Sequence, residues 1–204
     1  MLKELLKNTK FRSEIRFFFK KNEDKVVDII LFGSVTKGKE KPQDIDILVI
    51  YKKNIDLTFS HNLAKLLEKI LGIPVSISSK TYKDLFNPSF IVREAVLSEG
   101  YSLVNNVFIS EGLGYFNMAL FRYSLKGRSK SERMRFYYSL YGRGGEKGIL
   151  HKLNAYKFSN EVIISPVGSV EEMRIYLKRW SISYLETPLL IPARIVQSKA
   201  FVPA

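Results

Sequence analysis

The residues with the most chemical potential are a glycine–serine pair, Gly33-Ser34, followed nine residues later by two carboxylates, Asp44-x-Asp46. Glycine lets a chain turn sharply and lets its backbone approach a phosphate closely. Ser34 offers a hydroxyl and a backbone N–H, and at the start of a short helix both would face an anion. Lys37 lies where its ammonium could reach a phosphate; the alternative is a solvated loop lysine. Asp44 and Asp46 are two apart in an apolar run (DIDILVIY), so on a strand both carboxylates leave the same face. Paired hard oxygen ligands suit Mg²⁺ bridging the phosphates of a nucleotide. Where two metals bind, such ions stabilise attacking and leaving oxygens.

The elements needed to position these groups are legible nearby. Val26 to Phe32 is a β-branched apolar run that Gly33 ends, and it predicts a buried strand. Lys37 to Gln43 is polar, with Gly38 and Pro42, and predicts a loop. Asp44 to Tyr51 predicts a second strand, with Ile45, Ile47 and Val49 turned into a core. Leu57 to Leu71 has helical apolar spacing and Gly72 as its stop. Pro74 to Ser78 predicts a third strand. Thr81 with Asp84 forms a capping-box-like start for another helix. Ile91 to Gly100 predicts a helix, and Tyr101 to Val104 a closing strand. This order implies an α/β (α+β) domain with a mixed sheet.

Past residue 107 the composition changes. Tyr115 to Leu125 and Lys130 to Tyr141 predict two basic, aromatic-rich helices. Gly142 to Gly145 predicts a flexible basic loop that lacks P-loop spacing. Glu161 to Ile164 predicts a strand, and Ser169 with Glu172 a capping box for a helix ending near Trp180. Ser183 to Val196, interrupted by Pro188 and Pro192, is strand-like at best. Two units are therefore expected, residues 1–106 with an N-terminal helical extension and a smaller, basic α+β unit over 107–204.

Here the sequence resembles the minimal nucleotidyltransferases of the DNA polymerase β superfamily. Besides the glycine–serine and DxD motif, Ile73 to Leu85 (IPVSISSKTYKDL) looks like the family's third strand and following helix. Ile91 to Val104 (IVREAVLSEGYSLV) resembles its closing helix–strand around Glu99-Gly100. The resemblance covers about residues 20–106. It implies a polymerase β-like fold, an NTP substrate, Mg²⁺ as cofactor, and transfer of a nucleoside monophosphate to a hydroxyl. It also implies Asp44 and Asp46 as catalytic metal ligands and Gly33, Ser34 and Lys37 as nucleotide-binding residues. The chain departs from the family at one position. The third carboxylate falls in the third strand, where this sequence has Ser76, and Ser78 on the same face is no better. Asp28 stands five residues before Gly33, about 16 Å away along an extended strand, and Asp84 is explained as a helix-start residue.

Composition favours a polyanionic partner. The formal charge is +13, with 18 Lys/Arg against 13 Asp/Glu in residues 1–106 and 15 against 7 in residues 107–204. A Lys-rich soluble surface is the plainer explanation; nucleic acid is the alternative that charge of this size favours. Arg122, Lys126, Arg128, Lys130, Arg133, Arg135, Arg143 and Lys147 interleave with aromatic residues, and are the expected RNA-binding set. The aromatics themselves read better as core. With no cysteine and no apolar run long enough to span a bilayer, a cytoplasmic protein without membrane contact is expected. Three functions follow as expectations. The first is a Mg²⁺-dependent nucleotidyltransferase acting on an RNA or protein hydroxyl. The second is a catalytically weak protein of the same fold that binds RNA or a ribonucleoprotein such as the ribosome. The third is an antitoxin-like role with a protein partner.

Overall fold

The structure, a computed structural model, describes residues 2–196. Residues 197–204 of the expected second unit lie outside the described residues. The chain divides into two compact units, one up to Leu113 and one from Gly114.

The first unit opens with two helices, α1 (Leu2–Lys7) and α2 (Thr9–Lys21), and Asn8 caps the second by accepting from the Phe11 N–H at 3.0 Å. Strands β1 (Val26–Phe32), β2 (Ile45–Tyr51) and β3 (Val75–Thr81) follow, with helix α3 (Leu57–Leu71) between the last two. Asp56 caps α3 by accepting from Phe59 N–H, and Gly72 ends it at φ 69°, a left-handed conformation that glycine adopts without strain. Thr81 and Asp84 do form the capping box, on a five-residue 3₁₀ helix, Tyr82–Phe86. Helix α4 (Arg93–Glu99), strands β4 (Tyr101–Ser102) and β5 (Val107–Phe108) and helix α5 (Ile109–Gly112) complete the unit. The β4–β5 pairing places residues beyond 106 in the same sheet.

The sheet order is β3-β2-β1-β4-β5. β2 is antiparallel to β1 and parallel to β3, so the sheet is mixed, as the α3 crossover requires. Each face buries a separate cluster. Ile45, Ile47, Val49 and Tyr51 of β2 pack with α2 and α3, while Leu48 and Ile50 pack with Ile30, Phe90 and Val96.

The second unit is a four-stranded antiparallel sheet in the order β11-β6-β10-β9, covered by helices α6 (Lys130–Tyr141) and α8 (Val170–Arg179). Its strands are β6 (Tyr115–Tyr123), β9 (Tyr156–Ser159), β10 (Val162–Pro166) and β11 (Tyr184–Pro192); β7 (Gly142–Arg143) and β8 (Glu146–Lys147) form a small separate hairpin. A short helix α7 (Ile149–Lys152) follows the hairpin, and α9 (Ala193–Val196) follows β11. The core joins Phe121 and Tyr123 of β6 to Phe136, Leu140, Met173 and Leu177 of the helices. Arg174 of α8 grips Glu186 of β11 through two hydrogen bonds of 2.7 and 2.6 Å.

Several expectations for this half are corrected. Tyr115 to Leu125 is a strand and turn, not a helix. β6 is a central strand between β11 and β10, and Asn117, Met118 and Ala119 are buried in succession, so the two-residue alternation is lost there. Gly142 to Gly145 belongs to a hairpin rather than an open loop. Pro188 and Pro192 do not break β11, because it is an edge strand and the missing N–H groups cost no ladder bond. The Ser169–Glu172 box is not made. A 3₁₀ turn over Val167–Ser169 leaves Ser169 at ψ 10°, outside the extended conformation a capping serine uses.

Phe136 is 1% exposed and meets Tyr123, Tyr137, Tyr176 and Trp180 ring to ring. Phe136→Ala is expected to lower stability by about 3–5 kcal/mol, read as a shift of the urea midpoint of the second unit's tryptophan signal.

Candidate nucleotide site

β1 ends at Phe32, whose register partner on β2 is Asp46. Gly33 follows at φ 81° and turns the chain directly over that carboxylate. A Cβ on Gly33 would stand 2.6 Å from Asp46 Oδ2, which is too close for any side chain. Both the backbone conformation and the space therefore demand glycine. The turn that follows is not the short helix expected after Ser34. It is a run of turns through Gly38, held by Thr36 Oγ1 donating to the Gly33 carbonyl at 2.8 Å and by Lys39 N–H donating to the Ser34 carbonyl at 3.1 Å.

Asp44 is exposed just ahead of β2, and Asp46 is half-buried on it. Burial pushes the Asp46 carboxyl above its ordinary value, and the neighbouring charge of Asp44 adds to that rise. Among the described residues no cation pairs with either carboxylate. Each is thus a charge without a counter-ion, beside a backbone turn. Asp46 alternates with Ile45 and Ile47 and so shares the face of Leu48 and Ile50, while Ile45, Ile47 and Val49 pack on the other; Asp44 precedes the strand instead of standing on it.

The parallel β2–β3 ladder places Ser76 beside Asp46 and Ser78 beside Leu48. Neighbouring strands are about 4.8 Å apart, so position 76 is where a third carboxylate would share a metal with Asp46. Among the described residues no group of three or more His, Asp or Glu side chains gathers to hold a metal. The two aspartates fit Mg²⁺ as a pair that leaves other coordination positions to phosphate and water.

The other acids are accounted for. Asp28 is buried and accepts from Ile29 N–H at 2.7 Å, from Ser102 Oγ at 2.9 Å and from Asn105 Nδ2 at 3.5 Å, tying β1 to β4. Burial pushes its carboxyl up, against those hydrogen bonds. Asp84 accepts from Thr81 N–H and Oγ1, which hold its carboxyl below its usual range. Lys37 is neither a solvated lysine nor a free phosphate ligand. Its ammonium sits 2.8 Å from Glu99 Oε1 and ties the turn to the end of α4. That pairing spans 62 residues of sequence and no local pattern announces it.

The cations of the second unit are not brought to one place. Arg122 alternates with Phe121 and Tyr123, which face the helices, so it leaves the opposite face of the sheet. Arg128 donates to the Trp180 and Ser181 carbonyls at 2.9 and 2.7 Å, capping the C-terminal end of α8. Arg133 Nε donates to the Arg128 carbonyl at 2.9 Å. Arg143 lies over the Tyr138 ring, 4.5 Å from its centroid. Lys157, missed from the sequence, lies 5.4 Å over Tyr141. Lys126, Lys130, Arg135 and Lys147 are exposed.

A glycine turn packed on a strand carboxylate, with a second carboxylate two residues before it, defines a nucleotidyltransferase-type α/β domain. Residues 13–104 match the family model for polymerase β nucleotidyltransferases. The match covers less than half of the chain and stops short of Gly114. Comparison with curated proteins gives no match. Among solved structures, the chain is similar to a toxin–antitoxin with AMP-PNP, at 27% identity over 45% of this chain and 71% of that one (TM-score 0.36). It is similar to the tri-AMPylated HEPN toxin of Shewanella oneidensis in complex with MNT antitoxin, at 23% identity over 50% and 80% (TM-score 0.33). A structure of a minimal nucleotidyltransferase shares 27% identity over 48% and 92% (TM-score 0.37). No helix among the described residues is long and apolar enough to cross a membrane.

Asp44→Asn is expected to lower the pKa of Asp46, since it removes a like charge and leaves burial unchanged; carboxyl carbon NMR titration reads this directly. Gly33→Ala is expected to displace the Asp46 carboxylate and to cost at least about 1 kcal/mol, measured by thermal unfolding.

Proposed function

We propose that the first unit binds a nucleoside triphosphate with Mg²⁺ at Asp44 and Asp46 and transfers its nucleoside monophosphate slowly to a hydroxyl of RNA or protein, with cleavage of the α–β phosphoanhydride bond and release of pyrophosphate. One observation carries this reading: the Gly33 turn lies against a carboxylate pair that has no counter-ion. The Ser34 backbone N–H and hydroxyl follow that turn and serve as phosphate donors. Lys37, engaged by Glu99, holds the turn in place rather than contacting phosphate. Asp44 and Asp46 would hold Mg²⁺, which when bound would supply positive charge toward the phosphates.

Slow transfer follows from Ser76. A serine hydroxyl neither adds negative charge to a metal nor takes a proton from an acceptor near neutral pH, and general-base assistance is worth about 10²–10⁴-fold. The acceptor proton must then pass to water. The absence of cysteine suits the reducing cytoplasm, where this reaction would run.

Radiolabelled NTP is expected to bind in the presence of Mg²⁺, with Asp44→Asn and Asp46→Asn each abolishing the metal dependence. Ser76→Asp is expected to raise transfer to supplied RNA or protein by about 10²-fold or more. Metal-independent binding, unchanged in both aspartate variants, would remove the nucleotide site from consideration.

A second reading concerns the second unit, and the pairing of Arg143 with Tyr138 and of Lys157 with Tyr141 favours it. Cations steadied over exposed rings offer positioned phosphate contacts to RNA. On this reading the chain binds RNA or a ribonucleoprotein whether or not transfer occurs. Salt-dependent RNA binding is expected to survive Asp44→Ala and to lose about one unit of salt slope for each phosphate contact removed by Arg143→Gln and Lys157→Gln. A slope unchanged in both variants counts against this surface.

A further inference from the structure

A cavity of about 250 Å³ opens in the second unit where the end of α8 meets α6, and neither reading above uses it. Its wall contains Arg128, Glu132, Arg135, Phe136, Arg179 and Trp180. Three guanidinium groups thus face one carboxylate.

That carboxylate is already committed. Glu132 accepts from Ser129 N–H and Oγ at 2.8 Å each, as the capping box of α6, and from Arg128 at 3.4 Å. Arg128 is fixed by the same carboxylate and by the two carbonyls at the end of α8. Arg135 and Arg179 form no ion pair or hydrogen bond among the described residues. Both line the same cavity, one from α6 and one from α8, and neither has a counter-ion. Trp180 is half-buried beside them, its ring edge-on to Phe136 at 5.6 Å.

We propose that this cavity binds a phosphate of single-stranded nucleic acid, with Arg135 and Arg179 on the phosphate oxygens and the adjoining base or sugar against Trp180. The planar guanidinium fork matches phosphate geometry, and Arg128, already immobilised, adds fixed positive charge. The volume points to a piece of a strand rather than an entire ligand. Pockets that bury a whole drug-sized molecule run from about 300 to 1,000 Å³. A half-buried aromatic with cations beside it can still present an edge or face to an unpaired base. This inference rests on the reading of the second unit as a nucleic-acid-binding module; it adds the site and the chemical group it takes.

The chain has a single tryptophan, so tryptophan emission reports this cavity alone. The full-length protein is titrated with a short 5′-phosphorylated oligouridylate, its 5′-hydroxyl form and inorganic phosphate, and total RNA binding is followed in parallel by gel shift. A saturable emission change with the oligonucleotides is expected. It should weaken about tenfold in the double variant Arg135→Gln, Arg179→Gln and persist in Asp44→Asn. Unchanged thermal unfolding of the double variant shows that the fold is intact, since neither arginine bonds to the rest of the protein. Equal emission changes in wild type and double variant overturn the site, as does RNA binding by gel shift with no emission change, which leaves the broader RNA-binding reading standing. Absence of RNA binding in both assays overturns the two together. Saturation by inorganic phosphate at the same concentration as the oligonucleotide overturns the strand assignment and leaves a small-anion site.

Discussion

The approach of Gly33 to Asp46 governs the first unit. Two strands must be in register, Phe32 opposite Asp46, before the turn can close over the carboxylate, and only a residue without Cβ can make that turn. The result places backbone and carboxylate close enough to share a ligand. It also buries the carboxylate partly, and that raises its pKa and leaves it a site where a divalent cation gains most. The ion pair of Lys37 with Glu99 steadies the same turn from the far side of its sequence.

The parallel β2–β3 pairing sets a second constraint, because it fixes which residue stands next to Asp46. A crossover through α3 brings Ser76 there, and no residue of β3 is an acid. Asp28 is near in sequence to the turn but is used in a buried network with Ser102 and Asn105. On the proposed reading two of three expected carboxylates are present, and among the described residues no third acid joins them. Metal affinity and catalytic rate depend on this pairing in different ways. Two carboxylates still attract a cation, while proton removal has no residue assigned to it.

Sequence patterning made the first unit largely legible. The boundaries of β1 and α3 follow from the apolar runs around Ile29 and Leu63, from the Asp56 cap and from Gly72, all local signals. The second unit was less so. In β6 the helix formers Met118 and Ala119 are buried in succession, so the periodicity fades, and the strand's partners lie 40 to 77 residues away. Side-chain roles set by distant backbone escaped altogether. Arg128 reads as one more cation in a basic stretch, yet it caps a helix that ends 51 residues later. The Ser34 helix was expected from motif chemistry alone, and the turns that replace it show that the Gly33 conformation, not a helix dipole, organises the loop.

The edge position of β11 has a consequence for how the protein behaves at high concentration. A nine-residue edge strand with exposed Leu185 and Leu190 would ordinarily recruit a strand from another chain. Pro188 and Pro192 remove donors from its outward row, and the clasp of Arg174 on Glu186 holds the strand against its own helix. The residues that disguise this strand in the sequence thus also make it a poor template for intermolecular pairing, and they protect the sheet from growing beyond the molecule.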